Sequence, residues 1–438
     1  MTLATTRDLD HRVFAGVCAG FASAHQYPVS AVRAAAVLLG VATAGLGGVA
    51  YLALWRILPA ADPGAATLPT PAEREAAPPE TTPEAAPDRT SLGSQAPTAI
   101  QATTHAATTP GLRSVSPELQ RLYGPVADDL PLVSEKIQSI AQAAEFAFLQ
   151  KMLAAALAGT GKMMRPAIAL AGGRLGDYDL DKLVPLAASV ELLHTATLVH
   201  DDVIDEAETR RGEQTPNALF GNAASVMLGD YMFAHAADFI AQTDNPKVVR
   251  LFAKTLMSLA SGELTQDITV FEYSEDVTRY LDRITGKTAS LFGTAAQGGA
   301  MVSGAAPEYC EAMRLYGVRL GIAFQIVDDI LDFTGDPEVM GKPVGSDLHG
   351  GTLTLPAILY MQQRSEDNPI RKAFEGVRRK ANLDRAIREI LESDVIEESR
   401  RTARQFGDQA LEALAPLPEG EVKATLAGLV DYVLERNT

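Results

Sequence analysis

From Ser116 to the end of the chain, apolar residues recur at helical spacing almost without interruption, and no stretch alternates apolar and polar residues for the length of a strand. Gly159-Thr-Gly161, Gly176-Asp177, Gly221-Asn222, Asp244-Asn-Pro246, Gly304 to Pro307 and Gly335-Asp-Pro337 punctuate that pattern as turns. The spacing predicts an all-α domain over residues 113–438, with roughly ten or more helices bundled around a central cavity. Upstream the pattern changes twice. Residues 61–112 hold nine prolines among Ala, Thr, Glu and Ser, and no Phe, Tyr or Trp stands between Trp55 and Tyr123. Such a segment buries too little to offset its ordering entropy, so a disordered, semi-extended linker is expected there.

Residues 34–55 carry no charge and are flanked by Arg33 and Arg56. As a helix they would reach roughly 33 Å, the depth of a bilayer's hydrocarbon core. Tyr51 and Trp55 suit its interface. A buried core helix is the competing reading, and Gly45, Gly47 and Gly48 would also allow a re-entrant hairpin. Arginines lie on both sides (Arg7, Arg12 and Arg33 before, Arg56, Arg74 and Arg89 after), so counting positive charge does not set an orientation. The expected organisation is a membrane-associated segment over 1–60, with residues 34–58 in contact with lipid, then the linker 61–112, then the helical domain.

The net charge of −17 argues against nucleic acid as a partner, because binding a phosphate backbone needs a basic face. Cys18 and Cys310 are the only cysteines, which excludes a disulfide framework and a thiolate zinc site. An acidic protein that handles an anionic ligand must gather its cations locally.

Two carboxylate clusters show where. Asp201-Asp202-x-x-Asp205 closes an apolar helical run that starts before His194, and Asp328-Asp329-x-x-Asp332 closes a second one after Gly321. On a helix, residues four apart share a face one turn from each other, so Asp201 and Asp205 can share hard cations through oxygen ligands. That arrangement asks for Mg²⁺. Two such motifs facing each other would hold several Mg²⁺ ions and one highly anionic ligand, for which a diphosphate is the natural candidate. A solvated or capping role fails for these aspartates, because both motifs sit in apolar runs where uncompensated carboxylates are costly. Lys162 and Arg165 precede Pro166 at a helix start, where backbone N–H groups are free to meet an anion. With His194, Arg210 and Arg211 they make a second diphosphate pocket beside the metal one, and Arg suits it through bidentate pairing. His200 reads as a structural histidine.

The order Gly161-Lys162-x-x-Arg165-Pro166, His194-Thr-Ala-Thr-Leu-Val-His-Asp201-Asp202-x-x-Asp205, Arg210-Arg211-Gly, Gly286-Lys287-Thr288, Phe324-Gln325-x-x-Asp328-Asp329-x-x-Asp332 and Gly341-Lys342-Pro343 resembles the trans-isoprenyl diphosphate synthases, or polyprenyl synthetases, over about residues 120–438. The resemblance implies an isoprenoid-synthase helical bundle, a homodimer, and a prenyltransferase that joins isopentenyl diphosphate to an allylic diphosphate. It implies that Asp201, Asp205 and Asp328 ligate Mg²⁺, with Asp202, Asp329 and Asp332 in support. Arg210, Lys287, Thr288, Gln325 and Lys342 would contact the allylic substrate or its departing diphosphate, and Lys162, Arg165, His194 and Arg211 would hold isopentenyl diphosphate. Ala196, with Thr197 beside it, falls where the family's bulky aromatics close the chain-length cavity, so a long product is expected. One departure stands out: many members carry Glu-Gly-Lys before Thr-Leu-Pro, whereas this chain has Gly350-Gly351-Thr352. One phosphate contact is missing there. Near the N-terminus, Arg12-Val-Phe-Ala-Gly-Val-Cys-Ala-Gly-Phe21, Val32-Arg33 and Tyr51 to Pro59 resemble the phage-shock-protein C domain, a small bacterial membrane module.

The chemistry accounts for the residue types independently. Ionising an allylic diphosphate develops charge on the leaving group, which Mg²⁺, Lys and Arg stabilise where it appears. The allylic cation left behind needs an apolar cavity that excludes water. The expected product is a long all-trans polyprenyl diphosphate for a quinone side chain, made on the cytoplasmic side, where soluble substrates are found. A short-chain farnesyl or geranylgeranyl synthase, a class I terpene cyclase and a non-catalytic membrane scaffold are the alternatives.

Overall fold

The computed structural model describes residues 116–158, 161–210, 213–336, 343–364 and 367–436. The expected membrane segment, the linker, Arg211 and Lys342 lie outside them. The described chain is helical almost throughout. In order come α1 (Pro117–Tyr123), α2 (Leu130–Gln142), α3 (Ala147–Leu157), α4 (Met164–Gly173), α5 (Leu180–Ile204), α6 (Pro216–Phe220), α7 (Asn222–Ala241), α8 (Pro246–Ile268) and α9 (Val277–Ile284). A π-helical turn, Thr285–Ala289, leads into α10 (Ser290–Val302) and then α11 (Pro307–Thr334), the longest helix among the described residues. The chain ends with α12 (Ser346–His349), α13 (Leu355–Gln363), α14 (Pro369–Phe374), α15 (Arg379–Leu391), α16 (Val395–Ala413) and α17 (Glu421–Leu434). The one strand pairing among the described residues is a two-residue antiparallel ribbon, Thr209–Arg210 against Glu213–Gln214.

The helix starts follow capping chemistry. Asn245 accepts from the N–H groups of Lys247 and Val248 with Pro246 in the first turn of α8, and Asp179 and Asp276 cap α5 and α9 in the same way. Two apolar cores form. One packs α1 to α5, α7, α8, α10 and α17 together; the other packs α9 and α13 to α16 against the C-terminal half of α11. Helix α11 belongs to both, with Leu320 and Ala323 in the first and Ile326, Ile330 and Phe333 in the second. It is therefore the spine on which the second aspartate motif is carried.

Helix α5 is long and apolar enough to cross a membrane, but it is mostly buried and serves as a core helix instead. Its pairing with α7 depends on Gly229, where a Cβ would come within 2.1 Å of His200 Nε2. His200 accordingly packs against α7, bonding the Val226 carbonyl at 3.0 Å and meeting the Phe233 ring edge-on at 5.2 Å. That is the structural role its sequence context suggested.

Candidate active site

Both long helices stop at their aspartates. At the end of α5, Asp205 caps the helix, Glu206 turns left-handed with φ +50°, and Ala207 N–H returns to the Asp202 carbonyl at 2.9 Å. This is a Schellman-type closure, and it reverses the chain directly after the motif. The ribbon that follows brings Arg210 back onto Asp202, with Nε donating to Oδ1 at 2.7 Å. Asp202 is buried and held by that contact, whereas Asp201 is half-buried and Asp205 exposed. The motif thus divides into an inward carboxylate that is already paired and two that remain available.

Burial pushes the Asp201 carboxyl up to about 7, with the Glu263 carboxylate adding to the rise and Lys287 and Arg210 opposing it. Lys287 Nζ is anchored by Glu263 at 2.8 Å and by Gln266 at 3.4 Å. Glu263 and Gln266, three residues apart on α8, therefore hold the lysine that faces the first motif.

The π-helical turn explains how one short segment serves both motifs. Widening the helix at 285–289 shifts the side chains out of α-helical register, a feature often found at functional sites. Lys287 points to the first cluster while the adjacent Thr288 donates to Gln325 Oε1 at 2.6 Å on α11. Gln325 Nε2 in turn donates to Asp329 Oδ1 at 2.8 Å, and the buried Tyr280 hydroxyl donates to Asp329 Oδ2 at 2.6 Å. The turn can lie so close to α8 because residue 262 is glycine; a Cβ there would stand 2.9 Å from Lys287 N.

Asp329 is enclosed, with both oxygens accepting protein donors. Burial raises its carboxyl to about 7, Asp347 adds to that, and the bonds from Tyr280 and Gln325 pull it down. Asp332 is buried as well and takes Ser346 Oγ at 2.8 Å and Asp347 N–H at 3.2 Å. Only Asp328 keeps a largely open side chain, 47% exposed. As at the first motif, the inner carboxylates are structural supports and the outer one is presented. Thr288 and Gln325, expected at the substrate, are engaged with each other and with Asp329. At the loop lacking the family lysine, Thr352 N–H bonds the Asp347 carbonyl at 2.9 Å, and Arg283 reaches the neighbouring Leu353 carbonyl at 2.5 Å.

The second set of cations starts α4. Lys162 is exposed, 5.5 Å from the Tyr432 ring centroid, and Tyr123 hydrogen-bonds its backbone carbonyl. The Arg165 guanidinium sits 4.4 Å over Phe292. His194 is half-buried on α5, about two turns before the first motif. Ala196 is fully buried, while Thr197, four residues before Asp201 and on its face, is half-buried with its hydroxyl turned to the His194 carbonyl at 2.7 Å.

Sequence reading missed Glu263, Gln266, Tyr280, Ser346 and Asp347. A Gly262-Glu-x-x-Gln266 spacing on one helix face was the available signal for the first two. Tyr280 and Ser346 carry no local signal, since each matters only through an aspartate that is distant in sequence.

Carboxylates crowded at two helix ends, with a lysine and an arginine beside the first, suit a ligand that is itself strongly anionic and arrives with cations. On an all-α scaffold this defines a diphosphate-handling enzyme. The chain belongs to the polyprenyl synthetase family, whose sequence profile it matches over residues 146–392, and is a trans-prenyltransferase that condenses isopentenyl diphosphate with an allylic diphosphate. Residues 4–61 match the PspC domain. It is 35% identical to heptaprenyl diphosphate synthase component 2 of Geobacillus stearothermophilus, over 73% of this chain and 99% of that one. Among solved structures, a decaprenyl diphosphate synthase from Rhodobacter capsulatus superposes with a TM-score of 0.68 at 35% identity, covering 73% of this chain and 99% of that one. A polyprenyl synthase from Caulobacter crescentus, solved with calcium and isoprenyl diphosphate, gives 0.68 at 32% identity, covering 75% of this chain and all of that one.

Proposed function

We propose that the protein is a Mg²⁺-dependent synthase of long all-trans polyprenyl diphosphates, for quinone side chains, working at a membrane. The observation that carries the site assignment is the 285–289 turn, whose Lys287 faces the first aspartate motif while Thr288 is bonded into the second. Asp201, Asp205 and Asp328 are the presented carboxylates and would hold Mg²⁺ together with the substrate's diphosphate. Among the described residues no three carboxylate, imidazole or thiol groups close up to hold a metal by themselves. That donor set fits Mg²⁺, which commonly takes one or two carboxylates and completes its shell with water and substrate phosphates. The metal supplies charge neutralisation at the departing diphosphate.

Lys287 and Arg210 would act on the same group; Lys342, assigned to it by the resemblance, lies outside the described residues. Lys162, Arg165, His194 and Arg211 hold isopentenyl diphosphate. The allylic C–O bond breaks with its electron pair leaving on diphosphate. The isopentenyl double bond then forms the new C–C bond, and a proton is lost to the released diphosphate.

The names of the hepta- and decaprenyl relatives, together with small side chains at Ala196 and Thr197, support a long product. The test incubates the full chain with labelled isopentenyl diphosphate, Mg²⁺ and C10, C15 or C20 primers, then sizes the dephosphorylated products. A ladder reaching C30 or beyond is expected; a stop at C20 makes it a short-chain synthase. Thr197→Phe, on the face of Asp201, shortens the ladder to C20 or less, and an unchanged ladder removes Thr197 from the wall.

The PspC match supports attachment through residues 34–58. A long prenyl tail partitions into lipid at about 0.8 kcal/mol per CH₂, so release at a membrane surface is favourable, and the catalytic domain faces the cytoplasm with its soluble substrates. Exposed apolar side chains on α7 and α8, Met227 (69%), Met257 (62%), Leu264 (64%) and Ile268 (80%), support a homodimer that covers them. In detergent the full chain sediments as a dimer, and in lysates it pellets with membranes in inverted vesicles open to protease. A soluble monomer defeats both assignments, and a protected catalytic domain defeats the sidedness.

A further inference from the structure

Arg436, just past α17, reaches the second aspartate motif. Its Nη2 lies 3.5 Å from Asp328 Oδ1, and its guanidinium sits 4.5 Å from the centroid of Phe324, one turn earlier on α11. The arginine side chain is 11% exposed. Phe324 also packs on Phe292 at 5.3 Å, and Phe292 carries Arg165 at 4.4 Å. A stack of cation, ring, ring and cation thus runs from the start of α4 to the end of the chain, and its last member pairs with the one open carboxylate of the second motif.

We infer that Arg436 is the resident counter-cation of Asp328, a C-terminal latch that a divalent metal displaces when it binds. The inference rests on the reading of Asp328 as a metal ligand. A guanidinium and a divalent ion cannot both sit close to one carboxylate without repelling each other. Asp328 is open enough for a metal to arrive without moving α11. The Phe324 ring already holds the guanidinium at 4.5 Å, so the latch can let go of the carboxylate and keep its contact with the ring. A mere structural pin between α17 and α11 would change stability while leaving metal affinity alone.

The test measures Mn²⁺ binding to the full chain by the electron paramagnetic resonance of free Mn²⁺, for wild type, Arg436→Gln, Arg436→Lys and Asp328→Asn. Amide exchange over α17 is followed with and without metal. Removing the competing charge tightens Mn²⁺ binding by roughly two- to fivefold in Arg436→Gln, the scale of a partly exposed ion pair. Arg436→Lys, which keeps the charge, stays within about twofold of wild type on the same scale. Metal speeds exchange at the end of α17 in wild type, and Arg436→Gln exchanges at the fast rate throughout. An affinity in Arg436→Gln that is unchanged or weaker overturns the latch, and the metal assignment survives if Asp328→Asn binds Mn²⁺ less well. Wild-type affinity in Asp328→Asn overturns the metal assignment and the latch together.

Discussion

Asp201→Asn lowers kcat/KM for the allylic diphosphate by about 10³-fold or more while leaving the fold intact. The side chain keeps its shape and loses its charge, so the effect isolates what the carboxylate does for the metal. A metal ion that polarises a leaving group contributes several kcal/mol of transition-state stabilisation, and about 4 kcal/mol corresponds to about 10³ in rate. Asp201 is half-buried beside Glu263, Asp205, Lys287 and Arg210, whereas Asp205 is exposed. Asp202→Asn is a contrasting case. It removes the charge from the 2.7 Å pair with Arg210 while leaving an oxygen that can accept from Nε, so it loosens a substrate cation without removing a metal ligand and costs less. Steady-state kinetics with saturating isopentenyl diphosphate, alongside circular dichroism, separates the two. A loss under tenfold in Asp201→Asn removes that residue from the metal site.

How much of this was legible in the sequence follows from the range over which each signal acts. Helical periodicity and the turn residues gave the all-α domain, because caps such as Asn245-Pro246 are local chemistry. The two aspartate motifs were legible because four-residue spacing places Asp201 and Asp205, or Asp328 and Asp332, on one helix face. The division of labour within each motif was only partly legible. Asp329 became a support because Tyr280 and Gln325 enclose it, and Asp202 because the chain reverses at Glu206 and returns Arg210; both depend on tertiary contacts. The π-helical turn was invisible for a different reason. Gly286-Lys287-Thr288 reads as an ordinary helical segment, and only its packing against Gly262 and α11 shows why one residue serves each cluster.

The same Asp201→Asn change raises the thermal stability of the metal-free protein at pH 8 and not at pH 4. In the folded chain the Asp201 carboxyl is pushed from 3.8 up to about 7, mainly by burial. The folded state therefore holds a proton that the unfolded state has given up between about pH 4 and 7. Stability falls as pH rises through that window, and the cost stays in full above it. A displacement of this size is worth roughly 4 kcal/mol at most, and partial exposure of the side chain trims it to roughly 2. Asn, which carries no charge, escapes the cost, so the variant melts roughly 3 °C above wild type at pH 8, as expected for a domain of this size. Asp329 cannot serve for this test although it is raised to the same region, because an amide there has one acceptor oxygen for the two donors, Tyr280 and Gln325, that now bond both carboxylate oxygens. Mg²⁺ with diphosphate then reverses the order. Binding the ionised carboxylate stabilises wild type by mass action, while the variant gains little. Melting curves at pH 4 and 8, with and without both ligands, decide it: a variant less stable than wild type at pH 8 without metal would mean that Asp201 is held by partners as an ordinary ion-paired carboxylate, and that its strain is not what the metal relieves.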